Sequence, residues 1–281
     1  MKIIDAHAHI AHWPTLAVTE AEILRSMKEK GIAFSLISDC DCSEYPSLDS
    51  YPPHHVSTLE GLKHCLTFAK KYPNRIGVLV WINPHHELLT PELIRCIHDN
   101  SRYIYGFKFH PWESQMRITN PRLVPYLRFI TLEHKPLLVH TAKDKYSSIR
   151  YLGMVATRFP KIRFVAAHLQ LCTDDKEEAI RTLKLHSNLY ADTAWVKMSD
   201  AKRVMDEVGP DRIMFGTDNP VDGEHTLDNP IYEEYFANVL DLSGKEWRAL
   251  MGGNAAKLYG IRFPDRTKKP QKKTLLLDKK K

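Results

Sequence analysis

Short apolar runs alternate with longer helical patterns along most of this sequence, and this rhythm restricts the fold more than any other feature. Eight runs rich in β-branched and aromatic residues predict strands, at residues 2–7, 33–38, 76–83, 103–110, 136–141, 162–168, 188–193 and 212–218. Because segments of helix length separate them, consecutive strands must be joined by crossovers and form a parallel sheet. The eight units predict a closed (β/α)8 TIM barrel. A doubly wound open sheet is the alternative, but no glycine-rich phosphate turn follows the first run.

The segments between the runs begin with residues that cap helices. Thr19 precedes one apolar-periodic stretch, and Ser57 precedes another with Glu60 at the spacing of a capping box. Thr90 is followed by Pro91, which favours the first position of a helix. These signals support helices between the predicted strands.

Charge and hydropathy exclude several classes of protein. Residues 265–281 carry the whole net charge of +6, so residues 1–263 form a nearly neutral domain and residues 264–281 a basic tail. A tail without interleaved aromatic residues does not predict nucleic-acid binding. The longest apolar run, residues 76–82, is too short to span a membrane, and no signal-peptide pattern is present, which predicts a cytoplasmic protein. The expected partner is a small-molecule substrate. Whether the protein also forms a homodimer is left open by the sequence.

Polar side chains stand where the predicted strands end, and histidine is frequent among them. In a barrel these ends meet at one mouth, where active sites lie. The residues at the ends are His7, His9, Asp39, Asn83, Lys108, His110, His140, His168, Asp192, Thr193 and Asp218. His7 and His9 are two residues apart and are expected to share one face of their strand. We therefore expect a polar site at the mouth.

Four of these residues are suited to a metal ion. His7, His9, His140 and Asp218 would give three nitrogen ligands and one carboxylate, a set typical of one Zn²⁺ ion with a position left for water. A metal would lower the pKa of that water, and Asp218 or His168 could take its proton. Each histidine taken singly is also compatible with a hydrogen-bonded core residue; the combination is what predicts the site.

Four further residues are predicted to contact the substrate. Lys108 can bind a carboxylate or phosphate of the substrate, or pair with a carboxylate of the protein. His110 precedes a proline, which also allows a role in shaping the turn. Trp112 and Trp195 can hold a substrate, although Trp195 can equally serve in packing.

The motifs IIDAHAHI, GFKFHP, LLVHT, FVAAHLQ, FGTDNP and MGGNAAKLYGI occur in this order. Together they resemble the amidohydrolase superfamily, and within it the amidohydrolase-related branch that includes the aminocarboxymuconate-semialdehyde decarboxylase type. The resemblance implies that His7, His9, His140 and Asp218 bind a divalent metal, usually zinc, and that His168 is an acid/base or ligates a second metal. Because a carboxylated lysine on strand 4 bridges two metals in some members, Lys108 leaves a second metal open.

Three functions follow from these observations. The first is a metal-dependent hydrolase, in which activated water attacks an amide, lactone or ester carbonyl. The alternative is a metal-dependent, non-oxidative decarboxylase of a small aromatic or unsaturated acid, because the same ligands serve both reactions. The third is a binding protein that kept the barrel without the chemistry, since a fold alone does not imply function.

Overall fold

The computed structural model describes residues 2–13, 16–43, 56–84, 87–223 and 225–263. The basic tail at residues 264–281 and most of the long segment after the second predicted strand lie outside the described residues. The strands are β1 (Ile3–Trp13), β2 (Leu16–Val18), β3 (Ile32–Asp39), β4 (Ile76–Trp81), β5 (Ile104–Phe109), β6 (Leu137–Ala142), β7 (Phe164–Leu171), β8 (Leu189–Asp192) and β9 (Ile213–Met214). The helices are α1 (Glu20–Glu29), α2 (Thr58–Lys71), α3 (Pro91–Asp99), α4 (Val124–Glu133), α5 (Ile149–Arg158), α6 (Glu177–Leu185), α7 (Met198–Glu207), α8 (Pro230–Ala237), α9 (Gly244–Arg248) and α10 (Asn254–Tyr259).

Eight parallel strands alternating with helices confirm the predicted (β/α)8 barrel. The strands pair in the order β1-β3-β4-β5-β6-β7-β8-β9, each with its neighbour in the chain. The predicted caps also form. The side chains of Thr19 and Ser57 accept the backbone N–H groups of Glu22 and Glu60, and each glutamate carboxylate accepts the backbone N–H of its cap residue, which completes a capping box. Among the described residues, no helix combines the length and apolar character needed to cross a membrane.

Hydrogen bonds between the two ends of the sheet close the barrel. The N–H of Ala6 donates to the carbonyl of Phe215 at 3.0 Å, and the N–H of Asp218 donates to the carbonyl of His7 at 2.7 Å. The N–H of His9 then donates to the carbonyl of Asn219 at 2.8 Å. The sequence predicts the last strand over residues 212–218, but only Ile213–Met214 is regular: the N–H of Phe215 donates outside the sheet, to the carbonyl of Leu250 at 2.9 Å, and the backbone turns left-handed at Asp218 (φ 62°).

Strand β1 is longer than predicted and contains a bulge. It continues beyond the predicted end at residue 7 as far as Trp13 and pairs there with β2 in an antiparallel hairpin. Its register with β3 shifts between Asp5 and Ala8. Ile4 belongs to the core inside the barrel, whereas Ala8 belongs to the core between sheet and helices. A bulge redirects side chains in this way and is common at barrel rims beside active sites; here it re-aims the segment that carries His7.

The helix α10 and the residues before it pack against the N-terminal end of β1. At Gly252 a Cβ atom would lie 2.2 Å from the carbonyl oxygen of Lys2 and 3.3 Å from the nitrogen of Ile4. Both atoms are backbone, so neither can rotate away from an added methyl group.

We therefore expect Gly252→Ala to lower the free energy of unfolding by roughly 3 kcal/mol, the upper part of the usual cost of overpacking. Gly253→Ala is the matched control, because its added Cβ would meet the nearest backbone atom, the carbonyl oxygen of Arg248, at 3.2 Å. Urea unfolding followed by circular dichroism measures both. Equal stability of the two variants would contradict the close approach at Gly252.

Candidate metal centre

A pocket of about 490 Å³ opens at the C-terminal ends of the strands. Seven of the residues predicted for the site line it: His9, Lys108, His110, His140, His168, Trp195 and Asp218. His7 lies fully buried beneath them. Trp112 does not line the pocket and is 46% exposed, so its predicted contact with substrate finds no support in its position.

Three predicted ligand atoms converge at the base of the pocket. Nε2 of His7 lies 3.1 Å from Nε2 of His9 and 3.0 Å from Oδ1 of Asp218. Nε2 of His9 lies 2.9 Å from the same carboxylate oxygen. We call His7, His9 and Asp218 the central cluster. Its three atoms form a nearly equilateral triangle, in which two imidazole nitrogens and a carboxylate oxygen face one point.

The other nitrogen of each histidine is held by a neighbouring side chain. Nδ1 of His7 lies 2.7 Å from Oδ2 of Asp192, and Nδ1 of His9 lies 3.0 Å from Oγ of Ser38. A carboxylate can only accept, so the Nδ1 of His7 carries the proton, and in the neutral ring the lone pair lies on Nε2. Metal-binding histidines are oriented by partners of this kind.

The ammonium group of Lys108 points at the central cluster. Its Nζ lies 2.7 Å from Nε2 of His7, and the side chain is 1% exposed. Burial lowers the pKa of Lys108, while Asp218 and Asp192 oppose that shift. The same two carboxylates raise the pKa of His7 above its ordinary value, although burial and Lys108 act against them. The carboxylates of Asp218 and Asp192 therefore favour the positively charged forms of Lys108 and His7.

The backbone around the pocket is left-handed at several positions other than glycine. His168, Trp195 and Asp218 have φ angles of 67°, 57° and 62°. Such conformations are sparsely populated outside glycine and occur at functional sites, where surrounding contacts maintain them. The indole N–H of Trp195 donates to Oδ2 of Asp218 at 3.0 Å, which leaves Oδ1 of the same carboxylate facing the histidines.

His168 reaches the pocket through its left-handed turn. Its Nδ1 lies 3.1 Å from the carbonyl oxygen of Ala194, and because a carbonyl only accepts, Nδ1 carries the proton. Nε2 is therefore an acceptor. Burial lowers the pKa of His168 to about 4, so the ring is neutral at pH 7. The ring centroid lies 5.2 Å from that of His7, which places His168 beside the central cluster.

His140 lies in the pocket wall, apart from the three converging atoms. Its ring stacks on His110 at 3.8 Å between centroids and meets His168 edge-on at 4.8 Å. The group of ligand atoms that lie within 4.8 Å of one another contains His7, His9 and Asp218 but not His140. Burial lowers the pKa of both His140 and His110 well below the ordinary value, so both are neutral. A ligand role for His140 stays a prediction.

Two contributors to the pocket were missed at the sequence level. Asp192 was noted at a strand end but was given no role, although its two oxygens hold His7 and the backbone N–H of His168. Trp81 is the last residue of β4, and its ring stacks on His110 and lies 5.9 Å from Nζ of Lys108. The position of Asp192 at a strand end was a usable signal. Trp81 offered none, because a tryptophan in an apolar strand is normally core.

The donor set fits a divalent metal ion. Ligands about 2.0–2.1 Å from zinc in a tetrahedron are about 3.3 Å apart, close to the separations of 2.9–3.1 Å within the central cluster. Two imidazoles and one carboxylate suit zinc, manganese or iron rather than calcium. The ammonium of Lys108 now faces these atoms, so metal binding requires it to give up the hydrogen bond to His7.

Known proteins share this architecture. The 5-carboxyvanillate decarboxylase of Sphingomonas paucimobilis is similar over 93% of this chain and 99% of its own, with 13% identity and a TM-score of 0.68. A probable 2-pyrone-4,6-dicarboxylic acid hydrolase of Acinetobacter baumannii is similar over 92% and 100%, with 14% identity and a TM-score of 0.64. The 5-carboxyvanillate decarboxylase of Novosphingobium aromaticivorans, solved with manganese and 4-hydroxy-3-methoxy-5-nitrobenzoic acid, is similar over 92% and 96%, with 13% identity and a TM-score of 0.63.

At these identities the similarity shows the fold alone. Among curated proteins, none matches the sequence significantly. The family model described as Amidohydrolase matches residues 4–261. These residues run from the first strand of the barrel to the end of its last helix and include the whole pocket. The chain therefore belongs to the amidohydrolase family of enzymes.

Proposed function

We propose that this enzyme is a divalent-metal-dependent hydrolase that acts on an amide, lactone or ester carbonyl of a small molecule. The observation that carries the proposal is the convergence of Nε2 of His7, Nε2 of His9 and Oδ1 of Asp218 within 3.1 Å at the base of a pocket. A divalent ion held there, zinc by preference, would polarise the carbonyl and lower the pKa of a water molecule.

The protein's own groups would position the reactants and move protons. Trp195 fixes the carboxylate of Asp218 through its indole N–H, so that one oxygen faces the ligands. Nε2 of His168 is an acceptor beside the central cluster and would receive a proton from the attacking water. A correctly placed acid or base contributes about 10²–10⁴-fold to a rate.

The pocket favours a small anionic substrate with a flat part. Lys108 supplies a buried positive charge, and its ammonium would bind a carboxylate or carbonyl oxygen. Trp81, His110 and His140 form a continuous stack along one wall, with interplanar angles of 10° and 19°. A planar conjugated acid or lactone would lie against such a wall with its oxygen atoms towards Lys108.

Decarboxylation of a small aromatic acid is the second candidate, and the stacked wall favours it. Two of the proteins with a similar fold are named as decarboxylases of 5-carboxyvanillate, an aromatic acid. In this reaction the same cluster would orient the substrate carboxylate, and a proton would be delivered to the ring carbon. His168, which is neutral, would have to receive that proton from solvent or substrate before it could donate it.

The test is a panel of lactones, esters, amides and hydroxybenzoic acids, assayed with protein loaded with zinc or manganese. We expect hydrolysis that disappears after chelation and returns with the metal. Metal-dependent release of carbon dioxide without hydrolysis would replace the first candidate by the second. Substrate turnover that survives complete metal removal would contradict both.

A further inference from the structure

A second group of histidine and aspartate side chains lies at the same end of the barrel but on the outer face of the sheet. Its members are His12 near the end of β1, Asp39 and Asp41 at the end of β3, and His64 on α2; we call them the outer cluster. Alternation along the strands separates the two groups. Ser38 turns inward to His9, whereas the next residue, Asp39, turns outward to α2.

The four side chains are close enough to share one ion. Each offers one ligand atom, and these atoms all lie within 4.8 Å of one another. Nδ1 of His64 lies 2.9 Å from Oδ2 of Asp39, and Nδ1 of His12 lies 3.4 Å from Oδ2 of Asp41. The two imidazole rings meet edge-to-face, with centroids 5.1 Å apart.

The carboxylates are buried, while the imidazoles are open to solvent. Asp39 and Asp41 are 1% and 3% exposed, whereas the side chains of His12 and His64 are 58% and 42% exposed. An ion could therefore enter from solvent between the two rings.

A role in local structure alone is the alternative. The N–H of Asp41 donates to Oδ1 of Asp39 at 2.9 Å, and the N–H of His12 donates to Oδ2 of Asp41 at 2.8 Å. These bonds do not explain why two histidines from different elements approach a pair of buried carboxylates from the solvent side. A site with two nitrogen and two oxygen ligands explains that arrangement.

We propose that the outer cluster is a second metal site, specific for a divalent transition ion of the zinc type. Two imidazoles disfavour calcium and magnesium, which prefer oxygen ligands throughout. Its ion would join the end of β1, the turn after β3 and helix α2. Cys40 and Ser43, in that turn, line the pocket of the central cluster. The ion would thus fix one wall of the substrate pocket without touching the substrate.

The test counts zinc ions per chain. Chelator-treated full-length protein is titrated with Zn²⁺, freed of unbound metal by gel filtration and measured by plasma mass spectrometry. We expect the wild-type protein to bind one more equivalent of zinc than the double variant His12→Ala/His64→Ala. The single variant His64→Asn should lack the same equivalent. Because these proteins share the central cluster, the difference does not depend on metal binding there. Both substitutions affect half-exposed side chains, and thermal melting checks the fold.

His98→Ala is the matched control. His98 is also an exposed histidine paired with a carboxylate, 2.9 Å from Oε1 of Glu133, but within the described part of the chain it belongs to no group of potential metal ligands. We expect this variant to bind as much zinc as the wild-type protein. Equal zinc contents in the wild-type protein and in folded His12→Ala/His64→Ala would overturn the proposal, as would retention of the extra equivalent by His64→Asn.

Discussion

His7→Ala/His9→Ala is expected to lose the metal of the central cluster and to lower kcat/KM at least a thousandfold, about 4 kcal/mol of activation free energy. The double substitution removes two of the three converging ligand atoms and leaves Asp218 as a single carboxylate. One carboxylate cannot retain a divalent ion against dilution. Metal content by plasma mass spectrometry and turnover of the substrate found in the panel measure the two effects.

Two comparisons make this result specific. His98→Ala removes an exposed histidine that does not line the pocket and should retain metal and activity. His140→Ala asks whether His140 is a fourth ligand or part of the stacked wall: a ligand should lower metal affinity, whereas a wall residue should raise KM with metal content unchanged. Full metal content in folded His7→Ala/His9→Ala would contradict the central cluster as the metal site.

The fold was readable from the sequence because both of its signals are local. Apolar runs of strand length and capping residues such as Thr19 and Ser57 report directly on neighbouring residues. The resulting order of strands placed His7, His9 and Asp218 at one mouth without any knowledge of distances. Closure of the barrel then brought the first and last strands together, which joined residues more than 200 positions apart.

Other features depend on tertiary contacts and carry no local signal. Strict alternation cannot anticipate the bulge at the start of β1, where the register with β3 shifts between Asp5 and Ala8. The role of Asp5 also depends on tertiary contacts: its carboxylate accepts the hydroxyl and the N–H of Thr217, which ties the last segment of the barrel to the first. Trp112 follows the GFKFHP motif directly but is not among the residues that line the pocket, so its contact with substrate stays a prediction.

The outer cluster was hidden for the same reason. Asp39 was noted only as one polar residue at a strand end, and His12 and His64 lie on a strand extension and a helix face. Nothing in their spacing connects them. Only the packing of α2 against β3, with Gly61 allowing close approach to Asp39, brings His64 to the carboxylates. Side chains at the ends of barrel strands can be grouped from the sequence, because those ends meet at one mouth, whereas a set that includes a strand extension and a helix face cannot.

Asp192→Asn is expected to weaken metal binding at the central cluster about 10–100-fold, although the substitution leaves every proposed ligand in place. Oδ1 of Asp192 accepts the N–H groups of His168 and Ala194, and an asparagine would keep its oxygen on these donors. Its amide NH₂ would then face Nδ1 of His7, which must become an acceptor. The proton moves to Nε2, where it blocks the lone pair needed for the metal.

The measurement is zinc affinity by competition with a chelator, together with the melting temperature of the metal-free protein. Asp99→Asn, at the exposed end of α3, is the matched control and should bind zinc like the wild-type protein. A tautomer effect predicts weaker binding with a nearly unchanged melting temperature of the metal-free form, because the backbone hydrogen bonds persist. An affinity within threefold of wild type would show that the proton on Nδ1 of His7 does not depend on Asp192. Because the substitution removes a charge but no ligand, it tests the tautomer and orientation of His7 while the histidine itself stays in place.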